Sequence, residues 1–213
     1  MAAQAEFVVD INRKTNHTSA MRWILSQVGR NAFPFSVMLI GAIGNAVGAA
    51  FIPLYTGIAF DAAIQEPADL ATIGFAALMI VVSQTIRAFL QFSRNFCSEM
   101  LGQRVERDSR EELYVSLLGK SMTFHGRQPV GDTMARATND VREMGLMFSP
   151  GVNLIAGSGF FMLMPVIFAP NYHIHLLWPP LAFVIAYLIV LVNYMQTLGP
   201  IATKARLAFG RMN

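Results

Sequence analysis

The fold is decided by residues Met144–Thr203, which read MGLMFSPGVNLIAGSGFFMLMPVIFAPNYHIHLLWPPLAFVIAYLIVLVNYMQTLGPIAT. No Asp, Glu, Lys or Arg occurs in this stretch. A membrane-spanning helix needs about 20 consecutive apolar residues, so the stretch is long enough for two. A second run, from Ala32 to Phe60, has no ionisable side chain except Tyr55. Because soluble cores are not built from uncharged runs of this length, the sequence predicts an all-α membrane protein.

The composition of the 213 residues agrees, with 54% hydrophobic and only 14% charged side chains. Soluble domains carry about 25% charged residues. The single cysteine, Cys97, excludes an internal disulfide and a cysteine-based zinc site. The net charge of +3 is explained by membrane topology, so we expect the lipid bilayer and no nucleic acid as a partner. The polar tail 1–18 lacks the features of a secretory signal.

Four spans are predicted, at Phe33–Phe60, Leu70–Ser93, Met144–Ala169 and Leu176–Gly199. The link between the first two is acidic, and the link between the last two has no Lys or Arg. Basic residues cluster before span one, between spans two and three, and after span four. Since Lys and Arg are retained on the cytoplasmic side, we expect both termini and the central segment to be cytoplasmic. The predicted location is the plasma (inner) membrane.

Before span one, Ser19–Arg30 has the pattern of a short amphipathic helix. Met21, Ile24, Leu25 and Val28 fall on one face at helical spacing. We expect residues 19–32 to form an elbow helix at the membrane interface, with a turn at Phe33 and Pro34. The alternative is that this segment is only the soluble start of span one.

The central segment 94–143 predicts two cytoplasmic helical arms. Arg94–Gly119 contains no proline and continues span two for about 40 Å, with Gly119 as the C-cap. Ser121–Gln128 is a short crossing segment. Thr133–Glu143 is predicted to be helical again and to continue unbroken into span three. Arms of this kind imply a soluble partner that is held away from the bilayer.

The loop between the arms carries a specific motif. Residues 121–140 read SMTFHGRQPVGDTMARATND. This stretch resembles the first intracellular loop of ABC exporters of the six-helix, multidrug and lipid-flippase type. The matching positions are Phe124, Pro129, Gly131, Asp132, Arg136, Asn139 and Asp140. The resemblance extends over essentially the whole chain but is generic in the spans.

The resemblance implies that residues 33–213 form part of a six-helix ABC exporter transmembrane domain, with long helices extending into the cytoplasm. It implies that the crossing segment is the first coupling helix, which docks on a nucleotide-binding domain. That helix comprises Ser121, Met122, Thr123, Phe124, His125, Gly126, Arg127 and Gln128. Pro129 and Gly131 would reverse the chain, and Asp132 would stabilise the start of the returning arm through the helix dipole. The physical alternative is an ordinary turn followed by a helix start.

The sequence contains no phosphate-binding Walker A pattern, so this chain has no ATPase site of its own. The resemblance implies that ATP and Mg are bound in a nucleotide-binding domain outside this chain, on the same or a separate polypeptide. It also implies a second transporter half, as a homodimer or heterodimer, and an ATP-hydrolysing translocase as the whole protein. Spans five and six and the ATPase domain would lie beyond Asn213, so a fragment is expected. The few membrane charges favour an apolar or amphiphilic cargo. The alternative is a self-sufficient four-span scaffold that docks a cytoplasmic partner.

Polar residues inside the predicted spans are candidates to line a translocation pathway. They are Asn45, Arg87, Asn153 and Asn193. For the asparagines the alternative is hydrogen bonding between helices. For Arg87 it is a structural pairing, or a side chain that extends to the inner headgroups.

Two further patterns have structural interpretations. Gly44 and Gly48 in span one permit close helix packing. His173 and His175 lie in a short outer turn with no third ligand nearby, so solvated histidines are favoured over a metal site. No catalytic set of side chains is recognised in the spans.

Overall fold

The computed structural model describes residues 19–210, and the predicted tail 1–18 lies outside them. Every regular element in this part of the chain is helical. The α-helices are α1 (Ala20–Arg30), α2 (Ala32–Ala63), α3 (Leu70–Leu118), α4 (Met122–Arg127), α5 (Val130–Ala135), α6 (Val141–Leu146), α7 (Asn153–Phe168) and α8 (Trp178–Gly210). The all-α prediction is therefore confirmed.

Four helical stretches in the described residues are long and apolar enough to cross a membrane. They are Ala32–Ala63, Leu70–Leu118, Val130–Phe168 and Ile174–Ile201. Each contains one of the predicted spans in whole or in large part. The chain is thus a multi-pass membrane protein.

The described residues fall into two units, which divide between Phe160 and Phe161 within α7. The first unit contains α1 to α6 and the start of α7. The second contains the end of α7, two short 3₁₀ turns (Ala169–Asn171 and Ile174–Leu177) and α8. The side chains of α8 from Ala182 to Ile201 are almost all exposed, in keeping with an apolar helix surrounded by lipid or by further helices.

Helix α1 is fixed at both ends by local hydrogen bonds. The Ser19 hydroxyl accepts from the backbone N–H of Arg22 at 3.5 Å. At the other end, the N–H of Asn31 donates to the carbonyls of Gln27 and Val28. The turn predicted at Phe33 and Pro34 is wrong, because the chain changes direction at Asn31. Pro34 is tolerated in the first turn of α2, where backbone N–H groups have no intrahelical partner.

Helices α2 and α3 pack closely along a row of glycines. A Cβ atom placed on Gly41 would lie 3.0 Å from the Leu90 carbonyl oxygen, and one on Gly44 would lie 2.9 Å from Leu90 Cδ1. A Cβ on Gly48 would meet the stem of Arg87. The packing interpretation of Gly44 and Gly48 is confirmed.

Helix α3 spans 49 residues without a proline, which corresponds to about 74 Å. Asp69 caps its start by accepting from the N–H groups of Ala71 and Thr72, and Gly119 caps its end. Since the hydrocarbon core is about 30 Å thick, a single helix can cross it and extend about 40 Å beyond. The fold class predicted from the sequence, with long helices that leave the membrane, is confirmed.

The return from the loop to span three is not the unbroken helix that the sequence predicted. Residues Arg136–Asp140 form a π-helical turn, and Ser149 leaves the helical conformation with φ −128° and ψ 109°. The cause at Ser149 is Pro150, because a proline disfavours the α conformation of the residue before it. The second arm and span three therefore meet at a kink.

A small core forms where α1, α3 and the kinked segment Met147–Val152 meet. Leu101, Val105 and Phe148 are fully buried there. The partly buried residues that pack against them are Trp23, Ile24, Val28, Phe35 and Val152. Ile24 and Val28 of the predicted apolar face thus point to protein, whereas Met21 and Leu25 remain 63% and 60% exposed. This core fixes the elbow helix against the first arm.

Candidate functional site

The crossing segment between the two arms is a single capped helical turn. The Ser121 hydroxyl accepts from the backbone N–H of Phe124 at 3.3 Å, and Gln128 ends the helix. The His125 ring lies 3.1 Å from the Leu117 carbonyl oxygen at the end of α3. The first bond caps α4, and the second joins it to the end of the first arm.

Phe124 occupies the centre of this turn and is half-buried. Its ring meets the His125 ring edge to face at 5.6 Å between centroids, and the Lys120 ammonium lies 5.8 Å from its centroid. Phe124 therefore has a defined orientation while part of its ring stays accessible to a partner.

Apolar side chains surround the turn and face outward. Met122 is 79% and Val130 is 76% exposed, and Leu118 and Met134 are more than half exposed. Thr123, Gly126 and Arg127 are also exposed. An apolar patch beyond the end of a long arm is typical of a surface that another protein covers.

The residues after the turn build the start of the returning arm. Pro129 precedes α5 in an extended conformation, and the exposed Gly131 has no atom within 4 Å of where a Cβ would stand. Asp132 lies in the first turn of α5 and pairs with Arg136 at 3.1 Å. Asn139 and Asp140 are exposed in the π-helical turn. Among these motif residues, Asp132 and Arg136 are in direct contact.

The two arms touch through a pair of glycines that the sequence did not single out. A Cβ on Gly102 of α3 would lie 3.1 Å from the Gly145 carbonyl oxygen, and one on Gly145 would lie 3.1 Å from the Gly102 carbonyl oxygen. Arg110 adds a hydrogen bond to the Ala137 carbonyl at 3.3 Å. Because the backbones meet directly, we interpret the two arms as one rigid piece.

The elbow helix is joined to the first arm by ion pairs as well as by the core. Arg30 pairs with Asp108 at 2.6 Å and with Glu112 at 3.4 Å. Arg107 also pairs with Asp108, at 2.8 Å, and this carboxylate raises the pKa of Arg107. With only 5% of its side chain exposed, Asp108 is the centre of the pairing.

In the spans, the structure links three of the four polar candidates, Asn45, Arg87 and Asn153, in one chain of hydrogen bonds. Arg87 Nε donates to Asn45 Oδ1 at 2.9 Å, and Arg87 Nη1 donates to Gln84 Oε1 at 2.8 Å. Asn45 also donates to Gln91. Arg87 therefore has structural partners between α2 and α3.

Asn153 joins this chain of hydrogen bonds through Asn95. Asn153 donates to Asn95 at 3.3 Å, and Asn95 also accepts from Gln91 at 3.5 Å. Asn193 is exposed in α8, where its carbonyl accepts from the Thr197 hydroxyl. Close to Asn153, the Ser149 hydroxyl at the kink donates to Glu99 at 3.0 Å.

Among residues 19–210, no group of three or more His, Cys, Asp or Glu side chains could hold a metal ion. The rings of His173 and His175 are stacked with centroids 5.0 Å apart, and His173 Nδ1 accepts from the His175 N–H. Stacked rings do not converge on a common ion.

Residues 35–213 match the family described as the ABC transporter transmembrane region, so the chain belongs to this family. An ATP-dependent lipid A-core flippase from Pseudoalteromonas translucida (strain TAC 125) is 22% identical over 83% of this chain and 30% of its own length. ATP-dependent lipid A-core flippase 1 from Colwellia psychrerythraea (strain 34H / ATCC BAA-681) is 23% identical over 84% of this chain and 32% of its own length. The chain thus spans about a third of these curated relatives.

Together with the four apolar helices, these matches make the chain part of the transmembrane region of an ABC transporter. They disfavour the self-sufficient scaffold. The family implies a nucleotide-binding domain as a partner.

Proposed function

We propose that this chain transmits ATP-driven movement from a nucleotide-binding domain to a translocation pathway, with Ser121–Gln128 as the coupling helix. The observation that carries the proposal is the exposed apolar patch around Phe124, at the end of two arms joined at Gly102 and Gly145. A rigid support that carries an exposed apolar surface at its end suits the transfer of force to another domain.

The nucleotide-binding domain would hold ATP and Mg, since the sequence of this chain contains no Walker A pattern. A second transporter half, identical or different, would complete the pathway. The whole assembly would be an ATP-hydrolysing translocase of the plasma (inner) membrane, with residues 33–213 in its transmembrane domain, residues 19–32 as an elbow and both chain ends cytoplasmic. The basic residues of the arms favour this orientation.

The cargo that fits best is an amphiphile. The scarcity of charges in the spans favours an apolar body, and the two relatives described above are named ATP-dependent lipid A-core flippases. Asn45, Arg87, Asn153 and Asn193 remain candidates for the pathway, and their bonds to neighbouring helices give Asn45, Arg87 and Asn153 a packing role in addition.

The test replaces Phe124 by Ala in the full-length protein, reconstituted in vesicles. We expect ATP hydrolysis to lose its stimulation by cargo and transport to fall at least tenfold, while membrane insertion stays normal. The matched control is Phe60→Ala, which removes an exposed aromatic ring near the C-terminal end of α2, away from the arms. Unchanged transport and stimulation in Phe124→Ala would refute the coupling role.

A further inference from the structure

Arg94 of α3 passes between two glycines of other spans. A Cβ on Gly41 of α2 would lie 3.0 Å from Arg94 Cβ, and a Cβ on Gly157 of α7 would lie 2.9 Å from the guanidinium carbon. The stem of the arginine thus runs past α2, and its head lies against the backbone of α7. The absence of a side chain at both glycines creates the space that the arginine fills.

The guanidinium of Arg94 has no partner among the described residues. Its Nε is buried and makes no hydrogen bond, and no described carboxylate lies within 4.0 Å. The contrast is with Arg30, Arg107, Arg110 and Arg136, each of which has a carboxylate within 3.1 Å. The nearby amides of Asn95 and Asn153 bond to each other.

The position of Arg94 along α3 gives its depth. It follows Leu70 by 24 residues, which places it about 36 Å from the outer end of the helix. Since the hydrocarbon core is about 30 Å thick, Arg94 lies at the level of the headgroups on the side where the arms emerge. An unpaired, partly buried cation is costly, and phosphate groups are abundant at this depth.

We propose that Arg94 binds a phosphate-type oxyanion at this level, between α2, α3 and α7. A guanidinium matches such an anion with two parallel hydrogen bonds, which the empty partner positions of Arg94 allow. The anion belongs either to a lipid-like headgroup or to free phosphate in solution. The inference deepens the proposed function and rests on it, because it gives the amphiphilic cargo or a bound lipid an anionic head.

The experiment counts bound lipid by native mass spectrometry of the full-length protein in an uncharged detergent without ATP. Phosphatidylglycerol is titrated against diacylglycerol with the same acyl chains, which carries no phosphate. We expect the wild type to prefer phosphatidylglycerol and Arg94→Gln to lose about tenfold of that preference. The control Arg104→Gln removes the same charge from an exposed site on the same helix and should keep the preference.

A second variant, Gly157→Ala, keeps all charges and tests the same site if Arg94→Gln does not fold. Gly157→Ala places a methyl group where the guanidinium lies, so the phosphatidylglycerol preference should fall as well. A wild type without preference would overturn the proposal, and so would a preference that Arg94→Gln and Gly157→Ala both retain.

Added inorganic phosphate separates the two sources. Displacement of phosphatidylglycerol by millimolar phosphate in the wild type assigns the site to free oxyanions, and retention of the lipid assigns it to a headgroup. Because this assay needs no ATP, loss of the anion preference is distinguishable from failure of coupling at Phe124.

Discussion

The contact between the arms at Gly102 predicts a measurable loss of stability and of rigidity. In Gly102→Leu, the Cβ would lie 3.1 Å from the Gly145 carbonyl oxygen and 3.0 Å from Ser149 Cβ, and three further carbons have no space. Overpacking of this kind costs about 1–3 kcal/mol. Replacing a glycine inside a helix also stabilises that helix by about 0.5–1 kcal/mol. We expect the free energy of unfolding to fall by a net amount of about 1–2 kcal/mol.

Relief of this clash requires the arms to separate. Packed helices lie about 8–10 Å apart according to the side chains at the contact, so a leucine should widen this crossing by about 1–2 Å. Spin labels at the exposed Ser116 and Asn139 report the separation by pulsed electron resonance, and graded denaturation in SDS reports the stability.

The matched control is Gly159→Leu in α7. No atom lies within 4 Å of a Cβ at Gly159, so the same substitution should leave both the arm distance and the stability nearly unchanged. If Gly102→Leu behaves like Gly159→Leu, the arms are not held together by direct backbone contact and the rigid-piece interpretation is refuted.

Three further predictions concern other parts of the chain. Arg30→Gln should weaken docking of the elbow helix by about 1 kcal/mol, because the substitution breaks a partly buried ion pair with Asp108. Trp23 fluorescence in a Trp178→Phe background measures the docking, and an unchanged spectrum would contradict the prediction. The Thr72 hydroxyl and backbone N–H groups hold the pKa of Asp69 below its ordinary value of 3.8. The Asp69 cap therefore stabilises α3 at pH values above 3.8, and this stabilisation is lost as the pH falls through the lowered pKa. Hydrogen exchange at the start of α3 should rise in that acidic range, and it should not rise in Asp69→Asn. An epitope inserted at Glu66 should be accessible only from outside the cell, and labelling from the cytoplasm would overturn the orientation.

The sequence predicted the features that depend on local chemistry. The end of α3 follows from Gly119, whose capping role is set by its neighbours along the chain. The spans follow from uncharged runs, because the bilayer selects length and polarity directly. The loop motif was recognisable because its residues are continuous along the chain.

The features that the sequence did not predict depend on how helices rotate against each other. Gly102 meets Gly145, and Arg94 meets Gly157, only after α3 is placed beside α6 and α7. A three-dimensional juxtaposition of this kind leaves no signature within either segment. The kink at Ser149 did have a local signal in Pro150, which was overlooked because the apolar run starts before it.

The continuity of α3 from the Asp69 cap to Leu118 has a mechanical consequence. A straight lever about 40 Å long turns each degree of tilt at the membrane into about 0.7 Å of travel at its far end. A tilt of 10° would therefore move α4 by about 7 Å, more than one helical turn. Small angular changes among packed spans and large strokes at the docking surface are thus two ends of the same motion, and the ratio between them is set by the length of one helix.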